Sequence, residues 1–239
     1  MQVVINHLTR MKKGYICVAG VQRGTTRHIR PVLAGAQQLG TDLLARHGGV
    51  FEIGFVVELG KVRPAPKPPE TEDHEFDPRS AQMVGQLKAK EFWTLLRPLS
   101  KRTLGEVFGD ALTQRGATSC GLDVGGGTVS LGLLRPESPP VLYVKTREAG
   151  KQVVRMKLAD LGFHKLDLSV TDIRLYQDDH VTPDQAVVEQ AAKRLKPGAE
   201  VILSVGLTRP FSSSHTLPAC HWLQVNNIHF ATDPLWRRG

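Results

Sequence analysis

The chain has 239 residues, with 31 Lys and Arg against 23 Asp and Glu, for a formal charge of +8. Hydrophobic residues are 41% and charged residues 23%, the composition of a folded globular chain and not of a disordered one. No run of about 18 apolar residues occurs, so no transmembrane helix is expected. The N-terminus does not read as a signal peptide, because Lys12 and Lys13 follow its short apolar run instead of preceding it.

Short Val-, Ile- and Leu-rich segments closed by Gly or Pro dominate the pattern, which is the signature of strands. They predict strands near residues 2–8, 14–21, 27–32, 50–63, 119–124, 128–134, 140–146, 151–158, 164–169, 200–207 and 220–230. In 151–158 the alternation is explicit. Val154, Met156 and Leu158 share one face, and Lys151, Val153, Arg155 and Lys157 share the other. A turn at Glu148-Ala149-Gly150 makes 140–158 a hairpin. Helical periodicity appears at 38–47, 88–97 and 183–195. The last has Thr182 as its expected cap, Pro183 at its first position and Pro197-Gly198 as its stop.

The segment 64–80 reads as a proline-stiffened loop, and its acidic run Glu70, Glu72, Asp73, Glu75, Asp77 as solvated carboxylates. Arg-Pro recurs at Arg30, Arg63, Arg97, Arg135 and Arg209. Pro closes a strand, and the Arg before it is held extended. These arginines are read as solvated charges at strand ends, with an anion-binding surface as the alternative.

Strand density and the paucity of long helices predict a mainly β fold, two OB-like small barrels with a few short helices. The division is expected near 110–115, giving an N-terminal OB-like domain over 1–112 and a C-terminal one over 113–239. Cys17, Cys120 and Cys220 are odd in number and widely spaced. They suit a reducing, cytoplasmic setting better than a disulfide framework. Cys17, inside an apolar run, is expected as a buried thiol.

Asp123-Val124-Gly125-Gly126-Gly127-Thr128 is similar to the phosphate-binding turn of the actin-type ATPases. That superfamily needs a second such turn and a longer chain, so the run is read as a hairpin turn joining 119–124 to 128–134. No Walker A, GxGxxG, HExxH or CxxC pattern occurs. His215, Cys220, His221 and His229 fit no common zinc spacing. Ser212, Ser213 and Ser214 before His215 read as loop, not as a nucleophile elbow. No catalytic residue, metal ligand or cofactor is assigned.

The residues Gly14-Tyr15-Ile16-Cys17-Val18-Ala19-Gly20 are followed by Ile29-Arg30-Pro31-Val32, then by Pro68-Pro69-Glu70-Thr71-Glu72-Asp73 and Glu91-Phe92-Trp93. Further on come Leu203-Ser204-Val205-Gly206-Leu207-Thr208-Arg209 and Trp222-Leu223-Gln224-Val225-Asn226. Together they make the chain similar to the prokaryotic dual OB-containing domain proteins over about residues 1–230. The resemblance implies two OB-like barrels and suggests nucleic-acid binding. It names no substrate and no catalytic residue.

The remaining signal is charge. Arg10, Lys12, Lys13, Arg23, Arg27, His28 and Arg30 cluster near the N-terminus, and Lys145, Arg147, Lys151, Arg155 and Lys157 on the central hairpin. Such clusters neutralise phosphates. Tyr15, Tyr143 and Phe211 are candidate stacking rings, whereas Trp93 and Trp222 are expected in the core. The reading is a non-enzymatic protein that binds DNA or RNA, single strands included. Its candidate contacts are Arg10, Lys12, Lys13, Arg27, Arg30, Lys151, Arg155, Lys157 and Arg209. A module that docks a partner protein, and an enzyme acting on a nucleotide or nucleic acid, stay open as alternatives.

Overall fold

The computed structural model describes residues 1–147, 150–212 and 218–238, and only the backbone of Ala36 and His164. The turn residues Glu148 and Ala149, and Ser213, Ser214 and His215, lie outside the described residues. The first half contributes β1 (Gln2–Arg10), β2 (Tyr15–Gln22), β3 (His28–Val32), β4 (Leu39–Gly40), β5 (Phe55–Glu58), β6 (Val62–Pro64), β7 (Asp73–Phe76) and β8 (Gln82–Gln86). Helices α1 (Ala89–Leu96) and α2 (Leu104–Phe108) follow. The second half contributes β9 (Thr113–Gln114), β10 (Cys120–Asp123), β11 (Leu131–Leu134), β12 (Val141–Thr146), β13 (Gln152–Asp160) and β14 (Phe163–Val170). Helix α3 (Gln185–Arg194), β15 (Val201–Leu207) and β16 (Cys220–Phe230) complete it.

One sheet runs β6-β7-β3-β2-β1-β5-β8, with β4 on β2. The other runs β11-β15-β16-β14-β13-β12, with β10 on β16 and β9 on β10. The same plan is visible in both. Three antiparallel strands meander, the third pairs in parallel with the fifth, and the fifth pairs antiparallel with the fourth. The parallel pairs are β3 with β7 and β14 with β16. The fold is mainly β, with short helices and two curled five-stranded units of the OB kind extended by extra strands.

Each unit has its own core. Leu8, Ile16, Val18, Ile29, Phe51, Phe76, Phe92 and Leu96 lie in the first, and the second half adds Leu133, Ile173 and Ile202 to it. Leu104, Phe108 and Leu112 belong to the second core, with Leu122, Met156, Leu168, Tyr176, Val188, Val225 and Trp236. The chain therefore passes from one core to the other across residues 97–103.

Several local expectations are corrected. Residues 38–47 form β4 and two single 3-10 turns, Thr41–Leu43 and Ala45–His47, not a helix. Backbone bonds Phe51 N–H to Leu43 C=O (3.0 Å) and Ala45 N–H to Phe51 C=O (3.0 Å) pull the segment into a loop. The stretch 50–63 is broken into β5 and β6 around Gly60, at φ 70°. In α3 the cap is Asp184, which accepts from Val187 N–H at 3.2 Å. Thr182 is instead held by Asp179 (2.5 Å). The run Asp123–Thr128 does turn, closed by Gly126 N–H to Asp123 C=O (3.0 Å) with positive φ at Gly125 and Gly127. It is not a hairpin, because β10 pairs with β16 and β9 while β11 pairs with β15.

The halves are joined through polar groups as well as through Leu133, Ile173 and Ile202. Thr9 bridges Asp172, and Arg10 N–H donates to Thr171 C=O at 2.9 Å. Asp172, fully buried, accepts from Arg174 Nε (2.9 Å) and Nη2 (2.7 Å) and from Ile228 N–H (3.0 Å). Arg174 also donates to the carbonyls of Trp236 (3.0 Å) and Ile228 (2.9 Å) and covers the Trp236 ring at 4.0 Å. Removing one partner of a buried charge pair strands the other, at a cost of about 3–5 kcal/mol. We expect Asp172→Ala to lose about that much stability in urea denaturation. A loss under about 1 kcal/mol, the range of an exposed pair, would contradict the assignment of a buried, fully bonded Asp172–Arg174 pair.

Candidate functional site

The register of β12, β13 and β14 sorts their side chains by face. Leu142, Val154, Met156, Leu158, Leu166, Leu168 and Val170 point into the second core. The opposite face is assembled from cross-strand neighbours: Val141 beside Lys157, Tyr143 beside Arg155, Lys145 beside Val153, then Lys157 beside Asp167 and Arg155 beside Ser169. By alternation Lys165 joins this face.

Two kinds of cation share it. Arg155 is held in place, with Nε donating to Asp167 Oδ1 (3.1 Å), Nη1 to Ser169 Oγ (2.8 Å) and Nη2 to the Asp167 carbonyl. Tyr143 donates its hydroxyl to Asp167 Oδ2 at 2.9 Å. Burial first, and the Asp167 carboxylate next, push the Tyr143 phenol up, so it stays a donor. Lys157 Nζ lies 5.4 Å from the Tyr143 ring. Lys145, Lys151, Lys157 and Lys165 are exposed. None of them has an ion-pair partner among the described residues.

The turn between β1 and β2 is anchored next to this sheet. The Arg10 N–H bond to Thr171 falls just beyond the last rung of β14, and the Arg10 guanidinium lies 4.6 Å over the Tyr176 ring. Lys12 and Lys13 follow, both exposed, with Lys13 left-handed at φ 62°. Arg27 is exposed in the turn between β2 and β3. That turn is at the other end of β2, roughly 23 Å away by strand rise, and the fold does not bring it to the others.

Arg30 and Arg209 are placed differently. Arg30 is buried, with Nε 2.5 Å from Asp73 Oδ1. Arg209 reaches the same carboxylate at Oδ2 (2.7 Å) and Glu70 Oε1 at 3.1 Å. His221 Nδ1 donates to the Thr208 carbonyl (2.9 Å) and lies 3.5 Å from Glu70. Glu72 accepts from Ser130 N–H (2.7 Å), Ser130 Oγ (2.9 Å) and Leu131 N–H (3.0 Å). The acidic run is therefore solvated only at its end, where Glu75 is half-buried and Asp77 exposed. Glu70, Glu72 and Asp73 are buried, and β7 runs through the expected loop. Partners from the second half offset the desolvation of these carboxylates. All five arginines of the Arg-Pro pairs are matched to carboxylates: Arg63 to Glu75, and Arg97 and Arg135 to Glu200.

This joint also collects buried polar atoms that lack a partner: Asn6 Oδ1, His7 Nε2, His28 Nε2, Arg30 Nη2 and His221 Nε2. His7 and His28 meet edge to face, 5.3 Å between ring centres. Burial drives His28 and His229 down to about 4 and lowers His7 as well, with the charges of His28, His229 and Arg30 adding to the effect on His7. Burial raises all three thiols, Cys120 to about 12, so none is an activated nucleophile.

Among the aromatics, Trp222 is half-buried, not core. It donates Nε1–H to the Phe211 carbonyl at 2.9 Å, with Phe211 48% exposed beside it. Trp93 is half-buried too, and the buried tryptophan is Trp236.

Two curled β units of this strand order define an OB-type protein. The model of the dual OB-containing domain family matches residues 1–228, and the chain belongs to that family. Comparison with curated proteins found no match.

The buried histidines make stability depend on pH. A group that binds a proton near 6.5 when unfolded and near 4 when folded lets the unfolded state hold more protons between those values. Stability is then full above pH 6.5 and falls as the pH drops toward 4. We expect a lower urea midpoint at pH 5 than at pH 7, and a smaller difference in His229→Gln. Equal midpoints in the native chain would contradict the assignment of neutral buried imidazoles.

Proposed function

We propose that the chain is a nucleic-acid-binding protein that grips the phosphate backbone of DNA or RNA with the outward face of β12–β14 and the turn between β1 and β2. One observation carries this reading. Lys145, Lys151, Lys157 and Lys165 are exposed without a described carboxylate partner, on a face that also holds Tyr143 and the bonded Arg155. In OB folds, the face of strands two and three and the loop between strands one and two are where oligonucleotides bind. Here those parts are β13–β14 and the turn around Arg147 and Lys151. In the first unit the same loop is the Lys12–Lys13 turn.

Lysines of this kind contact phosphates as point charges and carry no sequence information. Tyr143, and Tyr15 at 36% exposure, add surfaces on which a base stacks. Arg155 serves as a positioned cation, because Asp167 and Ser169 already fix its orientation. Arg30 and Arg209 belong to the joint between the units.

Each phosphate contact on a single strand contributes about 0.7 to the slope of log affinity against log salt. Lys145→Ala/Lys151→Ala/Lys157→Ala should therefore reduce that slope by about 2, and weaken mixed-sequence DNA and RNA strands alike. An unchanged slope in a folded triple variant removes this face from the proposal. If the native chain binds neither polymer, protein docking takes its place. That reading has the half-exposed Met83 and Val84 of edge strand β8 in its favour.

A further inference from the structure

Beyond the Val141–Lys157 end of the basic sheet, a cleft of about 340 Å³ opens between three segments: the connector carrying Arg97 and Arg102, the loop after β11 that begins with Arg135, and the turn Gly198–Glu200 before β15. It lies where β12 begins, whereas the Arg147–Lys151 turn lies where β12 ends, about 17 Å further along by strand rise. The scaffold is fixed by backbone bonds. Lys101 N–H donates to Leu133 C=O and Arg135 N–H to Lys101 C=O, each at 2.8 Å. The connector is thereby tied along β11, and Arg102 and Arg135 are held on the same cleft.

The arginines lining this cleft outnumber its carboxylates. Arg97 Nε (3.3 Å) and Arg135 Nη1 (3.2 Å) converge on one oxygen, Oε1 of Glu200. Arg135 Nε is buried with no acceptor. Arg102 is exposed and has no ion-pair partner among the described residues. Glu137 and Glu200 are the acidic residues lining the cleft, against three arginines that each carry five N–H donors. A single carboxylate oxygen cannot satisfy two guanidinium forks. A tetrahedral oxyanion with several acceptor oxygens fits between forks that approach from different segments. The volume is within the range of small-molecule sites, about 300–1,000 Å³.

We propose that this cleft is a phosphate-group site, separate from the basic sheet and independent of whether that sheet binds nucleic acid. The ligand is a free phosphate compound or the terminal phosphate of a strand, since the same three arginines recognise either.

The test is calorimetric titration of the full chain with inorganic pyrophosphate. The native chain should bind it, and Arg102→Ala should weaken binding about tenfold, the loss of one charge-assisted contact. Arg102 is exposed and its side chain makes no tertiary bond among the described residues, so this variant carries the test. Arg135→Gln serves as a second. Lys145→Ala/Lys151→Ala, at the other end of β12, should leave pyrophosphate affinity unchanged. Competition by a 5′-phosphorylated oligonucleotide, but not by its 5′-hydroxyl form, in that double variant would identify a strand end as the source. No competition by either would identify a free phosphate compound. Absence of pyrophosphate binding at millimolar concentration, or equal affinity in the native chain, Arg102→Ala and Arg135→Gln, overturns the proposal.

Discussion

The side chain of Asn227 takes the place of a strand. Its Oδ1 accepts from Leu8 N–H at 2.7 Å and its Nδ2 donates to Leu8 C=O at 3.2 Å, across 219 residues of sequence. All of these groups are buried, and a buried amide left unpaired costs about 1–3 kcal/mol. The contact is made where both sheets are irregular. Asn6 is the extra residue in β1 between Ile5 and His7, and Asn226 the extra residue in β16 opposite Ser204 and Val205. Each bulge bends its strand and re-aims a polar side chain. Asn226 Nδ2 meets His7 Nδ1 at 3.0 Å, and Ser204 Oγ donates to the Asn6 carbonyl at 2.8 Å. Gly206 makes room for this, since a Cβ there would stand 2.4 Å from Asn226 Nδ2. A joint built of directional bonds tolerates one docking angle, which an apolar contact of the same area would not specify as narrowly.

That joint decides which surfaces remain for anything else. The outward side of the first unit's meander carries His7 and Thr9 on β1, Cys17 on β2 and Arg30 on β3. It is met by Asn226, and Arg209 reaches the Asp73 that Arg30 holds. The corresponding side of the second unit carries Tyr143, Lys145, Arg155 and Lys157 and faces solvent in its lysines. Two units of one plan are thus used differently. One spends its face on holding the molecule together, and the other leaves a basic sheet exposed.

How much of this was legible in the sequence depends on whether the signal was local. The alternation of 151–158 named both faces of β13 correctly, because period-two patterning is a property of neighbouring residues. The short motifs of the family were legible for the same reason. Strand β7 was not, since Asp73-His74-Glu75-Phe76 has no apolar face to announce it. Its Asp73 is bonded by Arg209, 136 residues away, and Glu72 just before it by Ser130, 58 residues away. Arg30 and Arg209 looked like any strand-end arginine until those partners were in place. Lys165 escaped notice because it stands apart from the run of charges on 145–157. The Gly-rich run turns as its composition dictates, but the partners of its flanking strands depend on sheet order, which no turn sequence encodes.

One face is open while the other is closed by the joint. The most direct measurement is a map of backbone amide chemical shifts of the full chain during titration with a mixed-sequence single-stranded oligonucleotide. The largest changes should fall on β12, β13, β14 and the Lys12–Lys13 turn, with the amides of β3 and β7 around Arg30 and Asp73 unmoved. Changes centred on β3 and β7, which would require the Arg209–Asp73 contact to open, or an unchanged spectrum at every oligonucleotide concentration, would contradict this.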